Sequence, residues 1–129
     1  VVSQLIKCMV KKSVQVEGAK VLIMGLTFKE NCPDLRNTKV VDIIEELKDY
    51  NIEVDVVDPW CSSSQAMEEY GLNLQHSPQK NTYDAIVITV AHDEFKVMGV
   101  DKLRELTKEN HVLYDLKYVL KQGCADIRF

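Results

Sequence analysis

Short apolar runs recur along the chain at the length of buried β-strands. Residues 21–26 and 85–90 are almost wholly apolar, and residues 52–57 and 112–116 are rich in branched and aromatic side chains. A weaker run at 72–75 predicts a short additional strand. Continuous apolar runs are typical of strands that are covered on both faces, as in parallel sheets.

Between these runs the apolar residues recur with helical spacing. The pattern predicts helices at 1–12, at 38–50, at about 62–70 and around Val100–Leu106. Residues that favour helix ends flank two of them: Asn37 or Thr38 and Asn51 around the second, and the serines 62–64 and Gly71 around the third. Residues 76–83 and 91–93 are predicted to be loops, and the tail beyond residue 117 shows no strong pattern.

Alternation of buried strands with amphipathic helices predicts the fold class. We expect an α/β protein with a doubly wound, mainly parallel sheet, helices on both faces and an additional helix at the N-terminus. In such sheets ligands bind beyond the carboxyl ends of the strands, where loops from different strands converge. The loops that follow strands are therefore the place to look for function.

Size and charge narrow the function classes. The chain has 129 residues and a net charge of −4, which suits one domain and argues against a general nucleic-acid or anionic-membrane surface. No apolar run approaches the ~20 residues of a membrane span. Cys8, Cys32, Cys61 and Cys124 are too widely spaced for a zinc site or a redox dithiol. We expect free thiols, no metal site and a cytoplasmic protein.

The loop after the first strand carries the clearest chemical signal. Lys29 and Arg36 lie in it, and Lys117 leaves the last predicted strand toward the same edge of the sheet. Taken singly, each cation is a typical solvated loop residue. Three cations converging on one edge of an acidic protein favour an anion site, with Asp34 orienting Arg36 rather than binding ligand.

Several familiar sites do not fit this sequence. Gly25 stands alone where a dinucleotide fingerprint would need three glycines, and no phosphate-binding P-loop is present. A phosphoacceptor receiver domain would match Thr89 and Lys117 but lacks the acidic pair after the first strand. His92 has no paired nucleophile, and Asp58 before Pro59 is interpreted as a turn residue, so no catalytic residue is predicted.

The same loop resembles the signature of a known family. Residues 25–38 read GLTFKENCPDLRNT, which is similar to the pattern G-[LF]-[AT]-F-K-x-[ND]-x-x-D-x-R-x-[ST] of the UDP-glucose/GDP-mannose dehydrogenase family. The resemblance continues through residues 56–59, 83–88, 91–95 and 114–117. The sequence of residues 31–38, together with Lys117, most resembles the branch that oxidises UDP-N-acetylhexosamines for capsule or O-antigen synthesis.

The resemblance implies a place within a larger enzyme. The family performs a two-step, NAD-dependent oxidation of a sugar C6 alcohol to a carboxylate. Its Rossmann-like C-terminal domain binds the UDP-sugar, here residues 18–129. Residues 1–17 would be the end of the helical middle, dimerisation domain and a connector. NAD would be bound mainly by an N-terminal domain that this sequence does not include, and the full enzyme would be a homodimer or larger.

Residue roles follow from the same resemblance. Phe28, Lys29 and Lys117 would contact the UDP-sugar, and Arg36 would reach across the domain cleft toward NAD. Asn31 and Asp34 would support the loop. The catalytic cysteine lies before this region in the family, so Cys32 is not expected to be the nucleophile and the fragment alone is expected to be inactive.

Two other classes of function stay open at this point. A stand-alone regulatory or ligand-binding α/β module would explain the cationic loops without any oxidation chemistry. A purely structural interaction domain would explain the fold, and would predict that Lys29 and Arg36 have no effect on ligand affinity.

Overall fold

A computed structural model describes residues 1–128, so Phe129, the last residue of the predicted 18–129 domain, lies outside it. The nine elements follow one another in chain order: α1 (Val2–Lys11), β1 (Lys20–Met24), α2 (Val40–Asp49), β2 (Glu53–Val57), α3 (Ser63–Tyr70), β3 (Tyr83–Ile88), α4 (Asp93–Leu106), β4 (Thr107–Asp115) and β5 (Ile127–Arg128).

The five strands form one sheet in the order β2-β1-β3-β4-β5, and every pairing is parallel. Residues on each central strand alternate between two cores because successive side chains point to opposite faces. Val21 and Ile23 pack with α1 and α2 on one face, whereas Leu22 and Met24 pack with α4 on the other. The predicted fold class, with helices on both faces and a leading helix, is confirmed.

Local sequence signals placed most helix ends correctly. Ser62 caps α3 through a reciprocal capping box with Gln65, and Gly71 ends it in the left-handed conformation. Asn51, after α2, is left-handed as predicted, with φ 61°. At the start of α2 the cap position is Lys39, although the Thr38 hydroxyl accepts a hydrogen bond from the Val40 N–H at 3.2 Å.

Several elements differ from the sequence prediction. Residues 72–75 form only a single bridge, Leu74 to Val56, because polar loop residues follow directly and no second position comes into register. α4 begins at Asp93, seven residues earlier than predicted, and is interrupted at Gly99, whose φ of 73° and ψ of 170° are not helical. The apolar pattern beyond Gly99 therefore predicted only the second half of α4.

β4 and β5 also extend beyond their sequence signals. β4 starts at Thr107, and residues 108–110 that follow are exposed and polar, so this part of the strand carries no apolar pattern. β5 contains two residues that pair with Tyr114 and Asp115, a strand too short for periodicity to predict. The four cysteines are free, as expected. Within residues 1–128, no helix combines the length and apolar character that a membrane crossing requires.

The topology defines where ligands should bind. From β1 the chain crosses to β2 on one side and later to β3 on the other, so β1 and β3 flank the point where the winding reverses. Loops that leave these two strands diverge to opposite faces of the sheet and leave a crevice at their carboxyl ends. The signature loop, residues 25–38, begins at this point.

Candidate functional site

A cavity of about 340 Å³ opens at the carboxyl ends of the central strands. Its lining comes mainly from residues 27–30 after β1, residues 38–40 at the start of α2, residues 89–91 after β3 and residues 116–117 after β4. Four separate segments therefore converge at the reversal point of the sheet. This is the position that the sequence analysis proposed for a ligand.

The charged groups of the cavity are mostly cations. Lys29, Lys39 and Lys117 line it together with one acidic residue, Glu30. In the part of the chain that the structure describes, none of these lysines forms an ion pair with an acidic side chain. An excess of unpaired positive charge within a net-acidic protein makes the cavity suitable for an anionic ligand.

Arg36 does not join these lysines, so the predicted convergence of three cations on one site is wrong for this residue. Its guanidinium bonds Asp34, from Nε at 3.0 Å and Nη2 at 3.2 Å. The pair lies in a separate shallow hollow with Gln65 and Glu69. Asp34 does orient Arg36 as expected, and this two-residue contact holds the guanidinium beside its own loop. Lys39, which the sequence analysis did not single out, is the third cation of the cavity.

Asp58 anchors the near end of the signature loop. Its buried carboxylate accepts hydrogen bonds from the N–H groups of Leu26 at 2.6 Å and Thr27 at 2.9 Å. It also accepts one from the Trp60 N–H at 2.7 Å, which is the turn expected for an Asp-Pro sequence. The turn interpretation was therefore incomplete, because Asp58 also joins the end of β2 to the loop that follows β1.

His92 anchors the far end of the same loop. The partners of His92 are distant from it in sequence: Nε2 lies 3.0 Å from Asp58 Oδ2 and 3.0 Å from Thr27 Oγ1. Its Nδ1 accepts a hydrogen bond from the Asn31 N–H at 2.9 Å. The imidazole is fully buried, which excludes direct contact with a ligand. Only its position after a strand hinted at this role.

The electrostatics of Asp58 follow from these contacts. Burial raises the pKa of its carboxyl group, but the hydrogen bonds from His92, Leu26, Thr27 and Trp60 outweigh burial and hold the pKa below its ordinary value. Asp58 is therefore ionised at neutral pH although it is buried. The carboxylate acts as a fixed acceptor that keeps four donors in place.

Asp115 has the same function at the end of β4. Its buried carboxylate accepts hydrogen bonds from the backbone N–H groups of Lys117 at 3.3 Å, Val119 at 3.0 Å and Leu120 at 2.8 Å. These bonds order the loop that presents Lys117 to the cavity. Two of the three cavity lysines thus stand on loops that a buried carboxylate holds.

The remaining predicted site residues divide between the cavity rim and the loop itself. Phe28 lines the cavity with 56% of its surface exposed, an unusual position for a large apolar side chain. Asn31 adopts a left-handed conformation, and its Oδ1 accepts a hydrogen bond from the Asp93 N–H at 3.0 Å. Phe28 is thus available to a ligand, whereas Asn31 stabilises the loop.

Gly25, directly after β1, packs closely against the segment that follows β3. Its φ is 113°, and a Cβ atom at this residue would lie 2.6 Å from Val90 Cβ and 2.8 Å from Val90 N. The glycine is needed for close packing against Val90.

Comparisons with known proteins point to one family. Residues 22–122 match the model of the UDP-glucose/GDP-mannose dehydrogenase family, UDP binding domain. The chain is 59% identical over 99% of its length to a UDP-N-acetyl-D-glucosamine 6-dehydrogenase of Pseudomonas aeruginosa, and 49% identical over 97% to one of Salmonella typhi. It spans 30% and 29% of the length of these two relatives.

Solved structures show the same fold. A UDP-D-ManNAc dehydrogenase from Pyrococcus horikoshii superposes with a TM-score of 0.77 at 21% identity, covering 98% of this chain and 29% of that one. An NDP-N-acetyl-D-galactosaminuronic acid dehydrogenase from Methanosarcina mazei Go1 superposes with a TM-score of 0.78 at 22% identity, covering 90% of this chain and 24% of that one. The chain therefore belongs to the UDP-glucose/GDP-mannose dehydrogenase family, and it corresponds to the UDP-binding domain of that family.

Proposed function

We propose that this chain is the UDP-sugar-binding part of an NAD-dependent nucleotide-sugar 6-dehydrogenase that acts in polysaccharide biosynthesis. The observation that carries the proposal is the cavity with three unpaired lysines at the reversal point of the sheet. The substrate we infer is a UDP-N-acetylhexosamine, since two relatives of high identity are UDP-N-acetyl-D-glucosamine 6-dehydrogenases.

The diphosphate is the group that the lysines would recognise. Lys29, Lys39 and Lys117 come from three different segments, so they can surround an anion rather than meet it from one side. Ammonium groups on flexible stems suit phosphate oxygens because each carries three donors and a full charge. Phe28, exposed beside Lys29, offers an aromatic face to an apolar surface of the ligand.

NAD belongs elsewhere in this proposal. In support, the loop after β1 has a single glycine, Gly25, where a standard dinucleotide site has three. Arg36 lies outside the lysine cavity with 81% of its side chain exposed, which makes it accessible to a neighbouring domain and to a cofactor held there. We therefore assign Arg36 to the phosphates of NAD and derive no chemical step within this chain.

The reaction of the whole enzyme sets what this part must do. Oxidation of a C6 alcohol to a carboxylate removes two hydrides, one for each of two NAD molecules, and adds the oxygen of one water molecule. We propose that both steps occur on one bound sugar, which requires the UDP group to stay in place between them. Holding the diphosphate is the contribution we propose for residues 18–129.

The remaining assignments concern the context of the chain. We propose that residues 1–17 end a helical middle domain through which the whole enzyme forms a homodimer or a larger assembly. Four free cysteines suit the reducing cytoplasm, where we place the enzyme. The catalytic cysteine and the main NAD site would lie in parts of the enzyme outside this sequence, so we expect this chain alone to be inactive.

Calorimetric titration tests the proposal. We expect UDP and UDP-N-acetylglucosamine to bind this chain and NAD not to bind. Lys29→Ala, Lys39→Ala and Lys117→Ala should each weaken UDP by about tenfold, the value of one charge-assisted hydrogen bond. Lys48→Ala, near the other end of α2, is the matched control. UDP affinity that is unchanged in all three cavity variants, or binding of NAD alone, would contradict the proposal.

A further inference from the structure

His92 is a buried histidine that connects the loop after β1 with the ends of two strands. Its ring lies between Trp60, at 6.1 Å between ring centroids, and Phe95, at 5.4 Å. Both ring nitrogens have partners on the loop that carries Phe28 and Lys29. The residue never reaches the cavity, yet it contacts the segment that forms one wall of it.

The hydrogen bonds define the protonation of the ring. Because the Asn31 N–H donates to Nδ1, that nitrogen must carry a lone pair. The single proton of the neutral ring is then on Nε2, which donates to Asp58 Oδ2 at 3.0 Å with Thr27 Oγ1 also at 3.0 Å. Thr27 is free to use its own hydroxyl proton toward the Lys29 carbonyl at 3.2 Å.

The two ends of the loop depend on different anchors. Leu26 and Thr27 donate their backbone N–H groups to Asp58 directly, so the near end stays attached without His92. Asn31, at the far end, is attached through its backbone to His92 Nδ1 and through its side chain to the Asp93 N–H. The far end therefore depends on residues 92 and 93 alone among these anchors.

We propose that His92 is a positioning residue for nucleoside diphosphate binding. By holding Asn31 through Nδ1, it fixes the far end of the segment 28–30 and thereby the direction in which Lys29 and Phe28 face the cavity. The inference rests on the proposed function, because it concerns the same diphosphate. Preorganised loops bind more tightly since the ligand does not have to order them.

Two amide substitutions separate the two nitrogens of the ring. In His92→Asn the side-chain oxygen can take the place of Nδ1 and accept from Asn31, but the bond to Asp58 is lost. In His92→Gln the amide can reach Asp58 in place of Nε2, but the bond to Asn31 is lost. A merely structural role predicts that affinity follows stability, whereas a positioning role predicts that affinity follows the Nδ1 bond.

The experiment compares UDP affinity by calorimetry with stability by denaturant unfolding, using the whole 129-residue chain at a temperature at which each variant is folded. We expect His92→Gln to weaken UDP binding by about tenfold and His92→Asn to stay close to the unmodified chain, by the preorganisation argument. Equal affinities of the two variants, or a loss that follows only the free energy of unfolding, would overturn the inference.

A double-mutant cycle shows whether His92 acts through Lys29. The losses from His92→Gln and Lys29→Ala should combine to less than their sum, whereas those from His92→Gln and Lys117→Ala should add. Additive losses in both cycles would overturn the inference. If Lys29→Ala, Lys39→Ala and Lys117→Ala all left UDP binding unchanged, the proposed function would fail instead, so the two failures are distinguishable.

Asn31→Gly supplies a second variant in case His92→Gln does not fold. Glycine retains the left-handed backbone and the N–H group but removes the bond to the Asp93 N–H. We expect UDP affinity close to that of the unmodified chain, because the bond from the residue 31 N–H to His92 Nδ1 remains. A severalfold loss would overturn the inference, since it would show that the contact with Asp93, rather than His92, holds the far end of the loop.

Discussion

Asp58 and Asp34 each contact a basic side chain, with 3.0 Å between the carboxylate oxygen and the nitrogen in both cases, but in opposite environments. The side chains of Asp58 and His92 are both 0% exposed, whereas the Arg36 side chain beside Asp34 is 81% exposed. The buried pair joins three segments that are far apart in sequence, and the exposed pair joins two residues of one loop. Distance alone does not distinguish a structural contact from an incidental one.

The pKa values of the two acids shift in the same direction for different reasons. For Asp58, burial raises the pKa and four hydrogen bonds more than reverse this effect. For Asp34, the hydrogen bond from the Arg36 side chain is the largest contribution that lowers the pKa. Water solvates Asp34 and Arg36 in any conformation, so their mutual contact adds little to folding. Water cannot replace the contact between the buried side chains of Asp58 and His92 in this way.

The difference indicates that the two halves of the signature loop have different roles. Its first half, residues 26–31, is attached to the domain and presents Lys29 to the cavity within this chain. In its second half, Asp34 and Arg36 are attached to each other, so the guanidinium remains accessible from outside. The proposed partners differ accordingly: a UDP-sugar for the first half and a cofactor on a neighbouring domain for the second.

The largest effect should come from Asp58→Ala. The substitution leaves the N–H groups of Leu26, Thr27 and Trp60 without their acceptor in a buried place. We expect the free energy of unfolding to fall by about 3–5 kcal/mol, measured by urea denaturation. A loss no larger than that of Asp34→Ala would show that the buried pair is as dispensable as the exposed one.

A smaller change in the free energy of unfolding should appear at low pH, and the pKa shift of Asp58 defines its direction. The folded pKa of Asp58 lies below the unfolded value of ~3.9, so its stabilisation is complete above that pH and is lost as the pH falls through the folded pKa. The difference in unfolding free energy between the unmodified chain and Asp58→Asn should therefore narrow from pH 7 to pH 3.

The same measurement with Asp34→Asn provides the control, because the other acidic residues titrate equally in each pair of proteins. We expect a small difference that changes little with pH, since water can replace the Arg36 contact. A gap for Asp58→Asn that widened toward pH 3 would mean that the buried carboxylate is protonated in the folded protein.

The smallest effect should come from Arg36→Ala. Because its guanidinium is exposed and bonds only within its own loop among the contacts described here, we expect unchanged unfolding midpoints and unchanged UDP affinity for this chain. In the longer enzyme the same substitution should raise the KM for NAD and leave the KM for the UDP-sugar unchanged. A loss of UDP affinity equal to that of Lys29→Ala would remove the distinction between the two halves of the loop.

Much of the fold could be predicted from the sequence because its signals are local. The buried strands, the capping box at Ser62 and the left-handed Asn51 and Gly71 each depend on a few neighbouring residues. Where signals were short or polar, as in β5 and the start of β4, the prediction was incomplete. Hydrophobic periodicity cannot predict a strand of two residues, and it cannot predict the part of a strand whose residues are polar and exposed.

The site was predicted only in part for a related reason. Lys29 and Lys117 could be placed at one edge because parallel strands bring their carboxyl ends together. Lys39 was missed because nothing in its local sequence distinguishes a cavity lysine from a solvated one. Arg36 was misplaced because its direction depends on the contact with Asp34 rather than on its position after the strand.

The sequence by itself therefore determined the α/β fold, the family and the loop that carries the ligand-binding residues, because apolar periodicity and a contiguous signature are encoded along the chain. Only the tertiary structure decided that Asp58, Thr27 and His92 form one buried centre, which also holds the backbone of Asn31. These residues come from segments that become neighbours when the sheet assembles. Hydrogen bonds of this kind depend on distances in space, and the order of residues in the chain does not contain those distances.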